Sequence, residues 1–328
     1  MTKKRDYKAM LSELGPFLGL IFVFVLFTIL TPSAFTSFYN IKTILTQSVI
    51  IGIAAYGTTF IIVSEGIDLS VGSQIALTTV IVATVLNLPA SDPGLFYPLL
   101  ALAAGVLACT GVGAFNGFII TKFRIVPFIV TLGTMQIVRG LAKWIGKEQT
   151  VATPSNWLTN LMLIDPSPSW LIFGPGVWLT LVLLFVSAVL LKYTVLGRYT
   201  FAIGSNEQTA RLCGIKVDRM KIVIYALGGL LTGIAGVMQY SYLTVGDPTT
   251  AVGLELDIIA AVVIGGGSLS GGEGSVVGSI FGALIMAVLR NGSNMLGLPN
   301  YVQEIIIGTI IVGAVLVDQQ KHRLRAAG

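Results

Sequence analysis

The chain has 328 residues, 54% hydrophobic and 11% charged, with a mean hydropathy of +0.87. Ordinary soluble domains carry roughly a quarter charged residues, so the composition excludes a soluble globular protein and describes an integral membrane protein. The net charge of +5 gathers at the N-terminus (Lys3, Lys4, Arg5, Lys8), in one central stretch and at the C-terminus (Lys321, Arg323, Arg325), which suits one membrane face and not a nucleic-acid groove.

A basic start leads into the first span, Pro16 to Leu30. Thr31, Pro32 and Ser33 offer no strong cleavage site, so the segment reads as a retained span and not as a signal peptide. Thr31 to Lys42 is an interfacial turn with Phe35, Phe38 and Tyr39 at the headgroup level, and Thr43 to Val63 returns as the second span. After a break at residues 64–70, Val71 to Leu86 runs outward, and a proline-rich outer loop from Leu88 to Pro98 leads to the fourth span, Leu99 to Ile120. Its Gly105, Ala108, Gly111, Gly113, Ala114 and Gly117 permit close helix approach and place it in the bundle interior. Lys122 and Arg124 mark a short inner loop before Pro127 to Ile145. Residues 146–176, with Pro154, Trp157, Pro166 and Trp170, form the longest outer segment and a candidate receiving surface. Val177 to Leu191 precedes the central charged stretch and Ile222 to Leu243 follows it. Leu254 to Gly265, a glycine-rich turn to Ser275, Val276 to Leu289 and finally Tyr301 to Val317 complete about ten spans with both termini inside. On this scheme Lys3, Arg211 and Lys321 face the cytoplasm, while Asp92, Pro166 and Asn294 face outward.

The central stretch holds Lys192, Arg198, Arg211, Lys216, Arg219 and Lys221 against Glu207 and Asp218, so it lies on the cytoplasmic side. Ser205 with Gln208 three residues on reads as a capping box, and Gly214 with Ile215 as a left-handed stop with its apolar contact. Together they frame one short helix, Asn206 to Cys213. Carrying the small Ala210, it is suited to dock in a partner's groove; the alternative is a solvated loop that only orients its neighbours.

The break EGIDLSVGS sets Glu65, Gly66, Asp68, Ser70, Gly72 and Ser73 between two apolar helices, where an acidic side chain costs roughly 2.5–3.5 kcal/mol. Asp68 or Ser70 capping the third helix, with Gly66 supplying the turn, accounts for these residues, and lining a pathway is compatible with that role. IAAVVIGGGSLSGGEGSVVGSIFGALI, from Ile259 to Ile285, forms a second break around Gly266, Gly267, Ser268 and Glu273. No lysine follows its last glycine, so it is a tight re-entrant turn and not a phosphate loop. Arg139, ionisable inside a span, is a functional candidate unless it snorkels to the outer headgroups beside Lys143 and Trp144. Glu255 and Asp257 cap or anchor the eighth span. A single histidine excludes histidine-rich metal sites and Ser-His or Cys-His catalysis. Cys109 in a span and Cys213 in the cytoplasmic helix form no disulfide framework.

AIGSNEQTARLCGI resembles the coupling-helix segment of ABC importer permeases for ribose and simple sugars. GIDLSVGS, the glycine-rich run from Ile259 and TLGTMQIVRGLA resemble segments of the same family. The resemblance spans nearly the whole chain and implies an all-α polytopic membrane helix bundle in one permease domain, 1–328, with cytoplasmic tails 1–15 and 318–328 and a coupling loop 192–221. It implies import of a monosaccharide or related polyol by alternating access across the bacterial cytoplasmic membrane, with neither catalysis nor a cofactor in this chain. ATP and Mg would be bound by a partner ABC ATPase seated on the coupling helix (Gly204, Ser205, Asn206, Glu207, Ala210, Arg211, Gly214, Ile215). An extracytoplasmic solute-binding protein would dock outside, and a second copy or a paralogous permease would complete the pathway among membrane lipids. A permease for branched-chain amino acids or nucleosides, an ATP-independent secondary carrier and a non-transporting scaffold are the alternatives.

Overall fold

Apolar runs punctuated by glycine, proline and serine fold as helices throughout. The computed structural model describes residues 7–31, 33–88, 94–168 and 170–326; Lys3 and Asp92, assigned to opposite faces above, lie outside the described residues. The helices are α1 (Tyr7–Leu30), α2 (Phe38–Val63), α3 (Val71–Leu86), α4 (Phe96–Phe123), α5 (Pro127–Ile145), α6 (Pro175–Tyr193), α7 (Val195–Ser205), α8 (Glu207–Leu212), α9 (Val217–Leu243), α10 (Leu254–Ile264), α11 (Val276–Met295) and α12 (Asn300–Ala326). Two-residue strands, β1 (Val151–Ala152) and β2 (Val245–Gly246), pair antiparallel on an otherwise helical molecule. By length and composition α2, α4, α6, α9 and α11 can cross a membrane, and Leu14–Leu30, α3 and Asn300–Gly313 are shorter apolar helices.

α2 is the axis of the bundle. Every residue from Ser48 to Val63 is buried, as expected of a helix apolar on all sides, and α6, α9, α10 and α11 pack around it. It starts ahead of the predicted Thr43 because the Ser37 hydroxyl accepts the Asn40 N–H at 3.3 Å. Lys42, expected in an interfacial turn, therefore lies in its first helical turns and reaches Asp165 at 2.8 Å.

α4 lies along α9 through two small-residue stripes, Gly113 and Gly117 against Gly229 and Gly233. A Cβ on Gly117 would stand 2.7 Å from Ile222 Cα, and one on Gly233 2.8 Å from Val106 Cα, so the two backbones touch. The expectation that α4 sits in the bundle interior is corrected. Its other face exposes Leu99, Leu107, Phe115 and Phe118, and Gly111 meets nothing within 4 Å. A glycine stripe marks one packed edge, which is all that a 3.6-residue period can line.

Other boundaries shift for local reasons. α1 begins at Tyr7 and runs through Pro16, which membrane helices tolerate. α11 continues past the predicted end at Leu289 because its next residues have partners: Arg290 is paired with Asp257, and Asn291 Oδ1 accepts from Asn40 Nδ2 at 3.0 Å. The larger correction concerns the eighth span. α10 has 11 residues, about 16 Å of helix against a hydrocarbon core of about 30 Å, so it is a half-length helix. Ala251 just before it and Glu255 in its first turn lie beside the start of α3, where a Cβ on Gly72 would stand 2.5 Å from Ala251 O and would overlap Glu255 Oε2. Non-helical residues 247–253 lead into it with backbone groups satisfied by side chains, Thr79 Oγ1 accepting from Asp247 N–H at 3.1 Å among them, the condition for irregular backbone at membrane depth.

Candidate functional site

α2 ends on a left-handed turn made by Glu65, at φ 63°. Glu65 N–H bonds Ile62 O and Gly66 N–H bonds Ile61 O, both at 2.9 Å, a Schellman stop with glutamate where glycine is usual. The turn predicted for Gly66 thus belongs to Glu65. Gly66 serves close approach instead, since a Cβ there would stand 2.6 Å from the Tyr225 hydroxyl oxygen.

Asp68, 1% exposed, then turns the chain into α3. Its Oδ1 accepts from Ser70 N–H at 2.8 Å and from the Ser70 hydroxyl at 2.5 Å, while Gln74 Nε2 lies 3.4 Å from Oδ2. Ser70 occupies the cap position without a side-chain cap bond of its own; its hydroxyl oxygen accepts from Gln74 Nε2 at 2.9 Å and from Asn116 Nδ2 at 3.1 Å. Of the two predicted caps, Asp68 does the turning. Gln74 and Asn116 were not singled out in the sequence, because polar residues inside apolar helices reveal their partners only once the helices pack.

The second break repeats the first. Gly266 is left-handed at φ 92°, and Gly267 N–H reaches Val262 O at 2.8 Å, closing α10 with another Schellman stop. Ser268 N–H then bonds Glu273 O at 3.1 Å, drawing the loop into a tight turn. Gly271 and Gly272, at φ 78° and 73°, bring its tip against α2 and α7. Gly272 N–H donates to Val63 O at 2.9 Å. A Cβ on Gly271 would stand 2.7 Å from Gly204 O, one on Gly272 2.8 Å from Ser205 Oγ, and one on Gly204 would overlap Val63 O. The three segments that stand out in the sequence, the break after α2, the glycine loop and the start of the cytoplasmic helix, therefore meet at one junction with backbone against backbone.

The cytoplasmic stretch is two helices and not one. Ser205 ends α7, and the cap of α8 is Asn206, whose Oδ1 accepts from Thr209 N–H at 2.8 Å, so the predicted Ser205–Gln208 capping box is displaced by one residue. The predicted stop holds: Gly214 is left-handed at φ 84°, with Gly214 N–H on Arg211 O at 3.0 Å and Ile215 N–H on Ala210 O at 3.1 Å. Ala210 points the other way from the expectation. It is buried against Ile203 and Val217 of this chain, so its methyl group faces inward. The outward face carries Gln208, Thr209, Leu212 and Cys213, with Leu212 88% exposed.

Glu207 links α8 to α9. Its carboxylate receives Arg211 at 2.9 Å and Lys221 at 2.6 Å, and Arg211 also holds Asp218 at 2.6 Å. Burial opposes ionisation of Glu207, but hydrogen bonds from Lys221 and Arg211 outweigh it and keep the carboxyl below its ordinary range. The Arg211 hydrogen bond, against a smaller effect of burial, does the same for Asp218.

Arg139 does not snorkel. Its Nη1 donates to Pro248 O at 3.0 Å and to Thr250 O at 2.7 Å, and Glu255 and Asp247 lie within its electrostatic reach. Gln239 Nε2 bonds Thr250 Oγ1 at 2.9 Å. Ser73 Oγ and Glu255 Oε2 are buried without a hydrogen-bond partner among the described residues, and a Cβ on Gly72 would clash with Glu255 Oε2. Glu255, read from the sequence as a helix anchor, thus belongs to a polar cluster with Arg139, Gln239 and Thr250 beside α3. Among the described residues no group of three His, Cys, Asp or Glu could hold a metal ion.

Residues 40–315 match the family described as branched-chain amino acid transport system / permease component. The chain belongs to this family. The permease is 42% identical to the ribose import permease protein RbsC of Bacillus subtilis over 97% of this chain and 96% of that one. It is 38% identical to the ribose import permease protein RbsC of Escherichia coli K12, covering 96% of each. The L-arabinose transport system permease protein AraH of Escherichia coli K12 is 37% identical over 92% of this chain and 89% of its own length. No solved structure matches the permease. The likeness to sugar-uptake permeases drawn from the motifs is upheld, and the role is transport and not catalysis.

Proposed function

We propose that this permease is the translocation subunit of an ATP-driven importer that carries a monosaccharide or related polyol across the bacterial cytoplasmic membrane. The observation that supports it best is the junction of Val63, Gly204 and Gly272. A cytoplasmic partner that displaces α8 must move α7, and at Gly204 α7 has no side chain between it and the end of α2 or the glycine loop. Close-packed backbone transmits displacement as a rigid contact does. The partner on α8 is an ATPase that binds ATP and Mg, with Leu212 as the apolar anchor on the docking face. On the far side the segment around β1 and β2 receives a solute-binding protein, and a second copy or a paralogous permease completes the pathway.

The chain acts as one permease domain with about ten crossings and both termini cytoplasmic. The eighth crossing combines a non-helical outer half with α10, and the cluster of Arg139, Gln239 and Glu255 lies where that half-helix begins. Breaks of this kind line solute pathways in membrane transporters.

The family description names branched-chain amino acids, and this favours a second reading in which an amino acid is carried. The sugar reading rests on relatives named for ribose and arabinose along nearly their whole length and on the GIDLSVGS break. Reconstitution with a partner ABC ATPase and a solute-binding protein separates the two, with uptake of labelled ribose and labelled leucine measured with and without ATP. ATP-dependent ribose uptake is expected. Preference for leucine, or uptake of ribose by the permease alone without ATP, would overturn the assignment.

A further inference from the structure

A cleft of about 450 Å³ opens between the α4–α5 turn and α8. One wall is apolar, with Ile120, Ile125 and Val126, and the other carries Glu207, Arg211 and Lys221. Arg124 stands at the turn itself, held there by a left-handed cap at φ 53°.

The charges of the cleft are arranged so that cationic donors are left over. Both oxygens of Glu207 are taken, Oε1 by Arg211 and Oε2 by Lys221, so the one acid of the cleft positions two cations and has little acceptor capacity to spare. Arg211 meets its carboxylates through Nε and Nη2, leaving Nη1, and Lys221 spends one of its three N–H donors on Glu207. Arg124 makes no ion pair among the described residues. Arg124, Arg211 and Lys221 all lie within electrostatic reach of Asp218 at the edge of the cleft, and three cations against the two carboxylates of Glu207 and Asp218 leave a net positive site with unfilled donors for a phosphate oxyanion.

The apolar wall decides which phosphate. Beside it Phe123, Val126, Phe128 and Ile129 are exposed, so the turn lies where hydrocarbon gives way to headgroups. Basic pockets at that level on the cytoplasmic side select anionic lipid headgroups. We infer that this cleft holds the phosphate of an anionic phospholipid of the cytoplasmic leaflet, with the acyl chains along the exposed apolar faces of α4 and α5. The bound lipid then touches α8 through Arg211 and biases its position. The inference takes from the proposed function only the cytoplasmic placement of this turn.

The test is native mass spectrometry of the full-length chain recovered in neutral detergent from vesicles of phosphatidylglycerol and phosphatidylcholine. Arg124→Asn, chosen because asparagine tolerates the left-handed cap, is expected to retain phosphatidylglycerol about fivefold less well. Arg124→Lys restores the charge and most of the retention, and Arg198→Gln, which removes an exposed α7 cation outside the cleft, behaves as wild type. Equal loss in Arg124→Asn and Arg198→Gln would show only diffuse charge and overturn the inference, as would unchanged retention in Arg124→Asn. Displacement of the lipid by inorganic phosphate would reduce the cleft to a simple anion site. Loss of ATPase co-purification in Arg124→Asn with lipid retention intact would assign the cleft to the protein partner instead. ATP-driven ribose uptake by the wild-type complex is measured separately, so failure of the transport reading leaves the lipid count standing.

Discussion

Gly204→Ala tests the junction at its tightest point. The added methyl would overlap Val63 O and stand 2.6 Å from Gly272 N. Both are backbone atoms with no rotamer to yield, so α7 must move off the end of α2. Overpacking of this kind costs about 1–3 kcal/mol, and the separation stretches the Gly272 N–H bond to Val63 O, a net loss of about 0.5–1.5 kcal/mol. The two together come to about 1.5–4.5 kcal/mol, confined to a contact between α7, the glycine loop and α2, so the bundle still inserts. The docking face of α8 is untouched. ATPase co-purification is therefore expected to stay near wild type, while ribose carried per ATP hydrolysed falls and the detergent melting midpoint drops. Gly133→Ala is the control, since nothing stands within 4 Å of that position and alanine is favoured over glycine inside a helix by about 0.5–1 kcal/mol. A Gly204→Ala complex with wild-type melting and a wild-type transport-to-hydrolysis ratio would refute the account of the junction.

Three further outcomes follow from the same geometry. Leu212→Glu should leave membrane abundance unchanged and abolish ATPase capture, whereas Ala210→Trp, pressing on Ile203 and Val217, should lower abundance first; the reverse pattern would mean that α8 is turned the other way. Asp68→Ala strands the Ser70 donors and should cost about 1–3 kcal/mol in melting experiments. Asp68→Asn should cost less, because it keeps Oδ1 and the free Gln74 Oε1 can turn to accept from the new amide; equal losses would count against the turn. Glu207 and Asp218 titrate below the unfolded carboxylate range near 4. Their contribution is thus complete above that range and lost as pH falls through the lower folded values, and screening of these largely exposed pairs limits it to about 1 kcal/mol. Melting midpoints of wild type and Glu207→Gln between pH 7 and pH 3 should converge on acidification, and divergence would contradict the pairing.

Local punctuation made some elements legible and long-range packing hid the rest. α3 and α5 have the bounds read from the sequence, because the Asp68–Ser70 turn and Pro127 mark their starts and Asn87 and Gly146 follow their last residues. The stop at Gly214 was also legible, since a left-handed glycine followed by an apolar residue is a local code. α7 was missed because its hydroxyls and Arg198 resemble a solvated loop and no glycine or proline follows Ser205 to announce its end. The direction of Ala210 depends on Ile203 and Val217 across two turns, and no periodicity spans so short a helix. α10 has the start read from the sequence and ends within one residue of it; counting it as a full span was the error, because an apolar run shows hydrophobicity and not depth. The junction itself joins residues 63, 204 and 272, each conspicuous alone, and nothing in their spacing states that they touch.

The burial of α2 bears on how the protein is made. It is the second helix to leave the ribosome, yet α9, α10 and α11, which enclose it, are synthesised near the end; the Asn40–Asn291 bond spans 251 positions. Until those helices arrive, lipid must solvate a helix whose Thr46, Thr58 and Thr59 are destined for the interior. Contacts so distant in sequence form late and slowly. Chains truncated before α9 should therefore be prey for membrane proteases even with every earlier helix inserted, and the step that commits the molecule to its fold is the closing of its last helices around its second.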